Sequence, residues 1–242
     1  MNRKTFLTTS LGLLGATTWS KTKVKEKYTS NQLIGKESLK LYSHKTPLLT
    51  IAGIAFEKMQ KAALKEGIEL KIISAYRSYD QQKNIWNRKF LKNKKAGLDS
   101  ENNIKKIIEY STLPGTSRHH WGTDVDLIDG SKPQEGDVLI SKKFHQNGPY
   151  VVLRKWMDRH AVNYGFIRPY TKNSERKGFY YEPWHYSYAP IAIPMLKAYS
   201  ALDLKKTLAT TNLEGSASMS KQFLRKYFTE NILGIANELK DF

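Results

Sequence analysis

Ser117-Arg118-His119-His120-Trp121-Gly122-Thr123-Asp124-Val125-Asp126 is the densest polar cluster in the chain, and its reading decides the fold. Val125-Asp126-Leu127-Ile128 has strand composition and is closed by Asp129-Gly130. Side chains alternate across a strand, so Asp124 and Asp126 share one face while Val125 takes the other. A second cluster, Glu182-Pro183-Trp184-His185, brings the total to three imidazoles and three carboxylates among aromatic and apolar neighbours. Zinc in a hydrolytic site takes three His or carboxylate ligands and keeps a fourth position for water. Asp126 on the strand and an imidazole of the preceding turn can share such an ion, and spacing leaves His119 and His120 both open. Glu182 and His185 face oppositely in a regular strand, so both reach one metal only if the chain bends between them. Pro183 already biases Glu182 away from helical geometry.

Outward from these clusters, the spacing predicts a helix opened by Pro47, with Leu48, Ile51, Ala52, Ala55, Met59, Ala62 and Ala63 on its apolar positions. Gly67 stops it, and Ile68 to Ile72 alternates as a half-buried strand. Ser78-Tyr79-Asp80-Gln81 fits a capping box for a helix through Ile85, Trp86 and Phe90, which sets Arg77 at a strand-to-helix junction. Lys92 to Ser100 reads as a basic loop, followed by a helical segment from Ile104 to Tyr110. Val151 to Tyr164 is expected as a helix, with Val152, Trp156, His160 and Tyr164 every four residues and Gly165 ending it. Phe179-Tyr180-Tyr181 has strand composition, and an amphipathic helix is expected from Ser220 through Leu239. Helices mixed with separated short strands argue an α+β class.

The chain has 242 residues, no cysteine and a formal charge of +18. Disulfides, thiolate metal sites and a cysteine nucleophile are therefore excluded, and any metal must be held by His and carboxylate. The basic excess lies before residue 201, since 201–242 holds six basic and five acidic side chains. Such a surface concentrates polyanions, including anionic cell-wall polymers. Zinc-finger spacing, RNP-like aromatic motifs and basic heptads are lacking in the sequence, which argues against nucleic acid. A mean hydropathy of −0.57 without a long apolar run argues against an integral membrane protein. Arg3 and Lys4 followed by the mildly apolar Phe6 to Trp19 have a signal peptide's order of parts, so export to the periplasm or cell envelope is expected. The expected organisation is a signal peptide over 1–20, a linker over 21–46, a catalytic domain over 47–200 and a C-terminal helical extension over 201–242.

Ser117-x-His119-x-x-Gly122-x-x-x-Asp126 followed by Glu182-x-x-His185, with Tyr76-Arg77-Ser78 upstream, resembles the motifs of the zinc D-alanyl-D-alanine carboxypeptidases, in their VanY-like branch. The resemblance runs from about Leu48 to Pro194. It implies His119, Asp126 and His185 as ligands of Zn2+, Glu182 as catalytic base and Arg77 as a stabiliser of the oxyanion. It implies a small, mainly antiparallel sheet packed with helices, with the zinc site on the sheet face. Ser117 and Trp184 are candidate substrate-binding residues, the alternatives being that Ser117 only closes the turn and Trp184 packs in the core, and peptidoglycan stem peptides are the implied substrates. L,D-carboxypeptidase, stem-peptide endopeptidase and a non-catalytic wall-binding module are the alternatives, the last disfavoured by the intact Glu182 and Arg77. One departure is Asp124, where the family usually has alanine; an extra carboxylate near the metal is expected to tune it.

Overall fold

The computed structural model describes residues 28–203 and 213–240. Residues 1–20, expected as a signal peptide, lie outside the described residues. No helix among the described residues is long and apolar enough to cross a membrane.

Four antiparallel strands form one sheet: β1 (Leu70–Ser74), β2 (Asp124–Asp129), β3 (Phe166–Ile167) and β4 (His185–Tyr188), in the spatial order β1-β2-β4-β3. The α+β class with a small antiparallel sheet is the architecture expected from the sequence. Val125 and Leu127 point from β2 into a core shared with Ala52, Phe56 and Met59 of α2 (Thr50–Lys65) and Trp156 of α5 (Val151–His160). The opposite face of β2 and β4 carries a row of polar side chains. Asp126 stands directly across from His185, and Asp124 from Ser187. Cross-strand partners have Cβ atoms about 4.5–5.5 Å apart, so pairing alone brings these groups within reach of one another. A register irregularity between Ile72 and Ser74 bends the end of β1 where it leads into Ala75, Tyr76 and Arg77.

A second core joins Trp86 and Phe90 of α3 (Tyr79–Lys95), Ile104 and Ile107 of α4 (Ser100–Ile107), Met195 and Leu196 of α6 (Ala189–Ser200) and Tyr227 of α7 (Lys221–Tyr227). The described part of the expected linker is built into this core. It forms the short helix α1 (Ser30–Leu33), buries Leu33, and accepts the Trp121 indole proton at the Leu33 carbonyl, 3.0 Å away. The C-terminal residues do the same through Tyr227, Ile232 and Leu239, so both flanking segments complete the domain.

Several local expectations need correction. Helix α2 starts at Thr50, so Pro47 and Leu48 precede it, and β1 runs two residues later than its alternation suggested. Lys92 to Lys95 belong to α3, since lysine is a good helix former and a solvent-facing last turn needs no apolar residue. On α5 the inward residues are Leu153, Trp156 and Met157, whereas Val152 is 57% exposed. Phe179-Tyr180-Tyr181 is irregular; its aromatic rings pack on Tyr170 and Tyr110 without joining a ladder. The final helix ends at Tyr227, widens into a π turn over Phe228–Ile232 and stops before Gly234, where a Cβ would lie 1.8 Å from the Glu230 carbonyl oxygen.

Candidate functional site

The sheet's polar face opens into a cleft of about 490 Å³ whose walls include Arg77, Ser117, His119, Asp126, Glu182 and His185. Each comes from a segment whose local sequence explains its position. His119 sits in a 3-10 turn, Arg118–Trp121, capped by the Ser117 hydroxyl, which accepts from the His119 amide at 3.3 Å. Gly122 ends that turn at a φ of +65°, a left-handed conformation that a side chain disfavours. A Cβ there would also meet Leu39 and Leu49 at 3.3 Å. The chain then enters β2, with Asp126 facing the cleft. Segment 75–77 is tied to the turn: the Arg77 amide donates to the His119 carbonyl at 3.1 Å, and the His119 ring bonds the Ala75 carbonyl through Nδ1 at 2.7 Å.

That bond fixes the ring: Nδ1 carries the proton, and Nε2 is left facing Asp126 Oδ2 at 3.4 Å. His185 is oriented the other way. Its Nδ1 points to Glu182 Oε2 at 2.9 Å and Asp126 Oδ1 at 3.6 Å, while Nε2 meets Asp124 Oδ1 at 3.0 Å. The bend demanded between Glu182 and His185 exists, as a turn in which the His185 amide bonds the Glu182 carbonyl at 3.3 Å before β4 begins.

His119, Asp126 and His185 are all buried, and one ligand atom from each lies within 4.8 Å of the others. Asp126 Oδ1 is a buried oxygen without a hydrogen-bond partner among the described residues. Two imidazole nitrogens and a free carboxylate oxygen converging in this way fit a zinc ion with a position left for water. Electrostatics agree. Burial would raise the Asp126 carboxyl, but the neighbouring His119, His185 and Arg77 hold it below its ordinary range. Burial works against charge on His185, yet hydrogen bonds to Asp124 and Glu182 and the Asp126 charge outweigh it and push its pKa up to about 10. A pocket that holds a proton so firmly favours cations. Burial raises the Glu182 carboxyl, partly countered by His185, which suits a group that must take up and release a proton.

His120, the other imidazole left open by spacing, is outside this group. Its Nδ1 bonds the Arg77 carbonyl at 2.7 Å and its Nε2 accepts from the Gly115 amide at 3.1 Å. Arg77 donates through Nη1 to Gln82 at 2.9 Å and keeps a buried Nε without a partner among the described residues. Ser117 both closes the turn and lines the cleft. Trp184 lines the cleft too, with its indole packed on Phe144 and Tyr110. Asp124, expected to tune the metal, turns its oxygens to Arg118, Thr123, Ser187 and the far nitrogen of His185.

Tyr170 and Lys89 are among the cleft residues that escaped the sequence reading. Tyr170 packs edge-on against the His185 ring, with centroids 5.0 Å apart, and no pattern marks it. Lys89 also reaches the cleft, where burial lowers its pKa. It stands one helical turn after Ile85, another lining residue, and that spacing was a usable signal.

The family model described as VanY, D-alanyl-D-alanine carboxypeptidase, matches residues 47–191. A putative carboxypeptidase of Bacillus subtilis, YodJ, is 36% identical over 138 residues, covering 57% of this chain and 44% of that protein. A D-alanyl-D-alanine carboxypeptidase of Enterococcus faecalis is 30% identical over 151 residues, covering 62% of this chain and 51% of that one. The chain thus spans about half the length of these curated relatives. Among solved structures, a glutamate mutant of the vancomycin-resistance D,D-pentapeptidase VanY from the VanB-type cassette, in complex with Zn(II), is similar at 26% identity with a TM-score of 0.51. The match covers 71% of this chain and 89% of that one.

Proposed function

Because the chain belongs to the VanY D-alanyl-D-alanine carboxypeptidase family, we propose that it is an exported zinc metallopeptidase that removes the terminal D-alanine from peptidoglycan stem peptides. The observation that carries this reading is the convergence of His119, Asp126 and His185 with Glu182 and Arg77 in one cleft. The Zn(II) complex of the similar VanY structure supports the choice of metal, and the name of the Enterococcus faecalis relative supports the choice of bond.

His119, Asp126 and His185 would hold zinc, which would supply Lewis acidity to a scissile carbonyl and to water. Glu182 takes a proton from the attacking water and delivers it to the departing amine of D-alanine. The free Nε–H of Arg77 is available to the oxygen that gains charge as the carbonyl becomes tetrahedral. Trp184 and Tyr170 wall the cleft and limit water around the reacting groups. Export rests on residues 1–20, and the substrate lies outside the cytoplasmic membrane.

The test is zinc analysis of purified protein together with mass spectrometry of muropeptides before and after incubation. The expected result is about one zinc per chain and loss of a single terminal alanine from pentapeptide stems. Glu182→Gln should keep its zinc and lose about 10²–10⁴-fold in turnover. Activity that survives a strong chelator, or cleavage at a different bond, overturns the assignment. Mature protein that retains residues 1–20 in the cytoplasm overturns the export.

A further inference from the structure

We propose that Asp124 is a positioning residue for the metal centre, holding His185 from behind as the middle member of a buried Arg118–Asp124–His185 chain. Asp124 is fully buried, and both of its oxygens are engaged. Oδ1 accepts from Arg118 Nε at 3.0 Å and meets His185 Nε2 at 3.0 Å. Oδ2 accepts from the Thr123 hydroxyl at 2.6 Å and the Ser187 hydroxyl at 3.0 Å. Ser187 Oγ in turn accepts from Arg118 Nη2 at 2.6 Å, and the Arg118 guanidinium lies over the Trp121 ring, 4.9 Å from its centre.

Every segment that carries a candidate ligand contributes one member to this network. Arg118 is next to His119, Asp124 is two residues before Asp126, and Ser187 is two residues after His185 on β4. Alternation along a strand makes Asp124 and Ser187 point to the same face as Asp126 and His185, and the 3-10 turn brings Arg118 to them. The network therefore sets the mutual position of turn, β2 and β4, and with it the spacing of the three ligand atoms. It also selects a tautomer. A carboxylate opposite Nε2 keeps the proton on that nitrogen, so a bound metal would displace the proton at Nδ1, the nitrogen that faces Glu182 and Asp126. A carboxylate behind a ligating imidazole orients the ring and makes its free nitrogen a better donor; loss of such a partner typically costs about 10–100-fold in metal affinity.

This inference rests on the zinc reading above, and its test separates the two. Asp124→Ala alone would strand the Arg118 charge in the core, so the variant to use is Arg118→Leu with Asp124→Ala, which removes both charges together. Zinc affinity is measured by competition with a chromophoric chelator, beside circular dichroism and a thermal melt. The expected result is tight zinc binding by wild type and about 10–100-fold weaker binding by the folded double variant. Substituting cobalt should give visible absorption bands that differ between the two. Arg118→Leu with Asp124→Asn, which also leaves no unpaired charge and keeps the volume at position 124, serves if that double variant does not fold, and its expected loss is about tenfold. Wild type without zinc affinity refutes the metallopeptidase reading itself. Tight wild-type binding matched within about twofold by a folded variant, where this kind of partner should give a tenfold loss or more, overturns the role of Asp124 alone.

Discussion

His119 and His120 are adjacent and both buried, yet their rings meet different partners. One offers Nε2 to Asp126; the other is held at both nitrogens by the backbone of Gly115 and Arg77. His119→Ala should abolish stoichiometric zinc and His120→Gln should retain it, as metal analysis of the two purified variants would reveal. The residues also differ in pH response. Burial, reinforced by the charges of Arg77 and His119 against the bond to the Arg77 carbonyl, pushes the His120 pKa down to about 3. In the unfolded chain the group titrates near 6.5. Between those values the unfolded state binds a proton that the native state refuses, so the contribution is complete above about pH 6.5 and is lost as pH falls toward 3. At pH 5 the loss is about 2 kcal/mol. Urea unfolding at pH 7 and pH 5 should show a smaller difference for His120→Gln than for wild type by about that amount. Both histidines were visible in the sequence, where spacing left them equal and the family motif singled out His119 without giving the physical basis of the distinction. It depends on the tight pitch of a 3-10 turn and on which carbonyls segment 75–77 presents.

Among the elements, α3 begins where the cleft needs it to. Ser78 accepts from the Gln81 amide while the Gln81 side chain accepts from the Ser78 amide, a reciprocal cap that starts the helix immediately after Arg77. Ser78→Ala should cost about 1 kcal/mol of stability, read from a denaturant melt. That cap was legible because it is a local pattern, as were the glycine stops at Gly67 and Gly165. Strand β4 was not. Its four residues, His185-Tyr186-Ser187-Tyr188, alternate two polar groups of the site with two aromatics of the core, and the polar pair hides the strand. Helix α6 was passed over as well; it contains Pro190 in its first turn and Pro194 further in, residues that ordinarily mark helix ends. The metal-ligand candidates were nevertheless readable, since two motifs that look weak apart are placed opposite one another by the β2–β4 register.

Over the whole molecule, the flanking segments behave as parts of the domain. The Tyr227 hydroxyl accepts from the Leu113 amide at 3.0 Å and shares a 2.9 Å hydrogen bond with Thr116, just ahead of the turn that carries His119. Tyr227→Phe leaves a buried amide without its acceptor and should cost about 1–3 kcal/mol in a denaturant melt. A chain ending at residue 212 should fail to melt cooperatively, because it uncovers Trp86, Leu113 and Tyr199 of the second core. Composition suggested appendages here: a lysine- and serine-rich stretch gives no hint that Leu33 is buried, and the amphipathic pattern that includes Tyr227 does not say what its apolar face covers.

The Tyr227 bond spans 114 positions of sequence from its partner Leu113. A ribosome releases the histidines, the aspartate and the glutamate of the cleft well before it releases the tyrosine that pins the turn ahead of them. The candidate ligands therefore precede in sequence the residue that pins their turn, and contacts of such long range are slower to form than local ones. The segment around Tyr227 acts as a clasp across the chain, closing on the residues just ahead of the turn that carries His119.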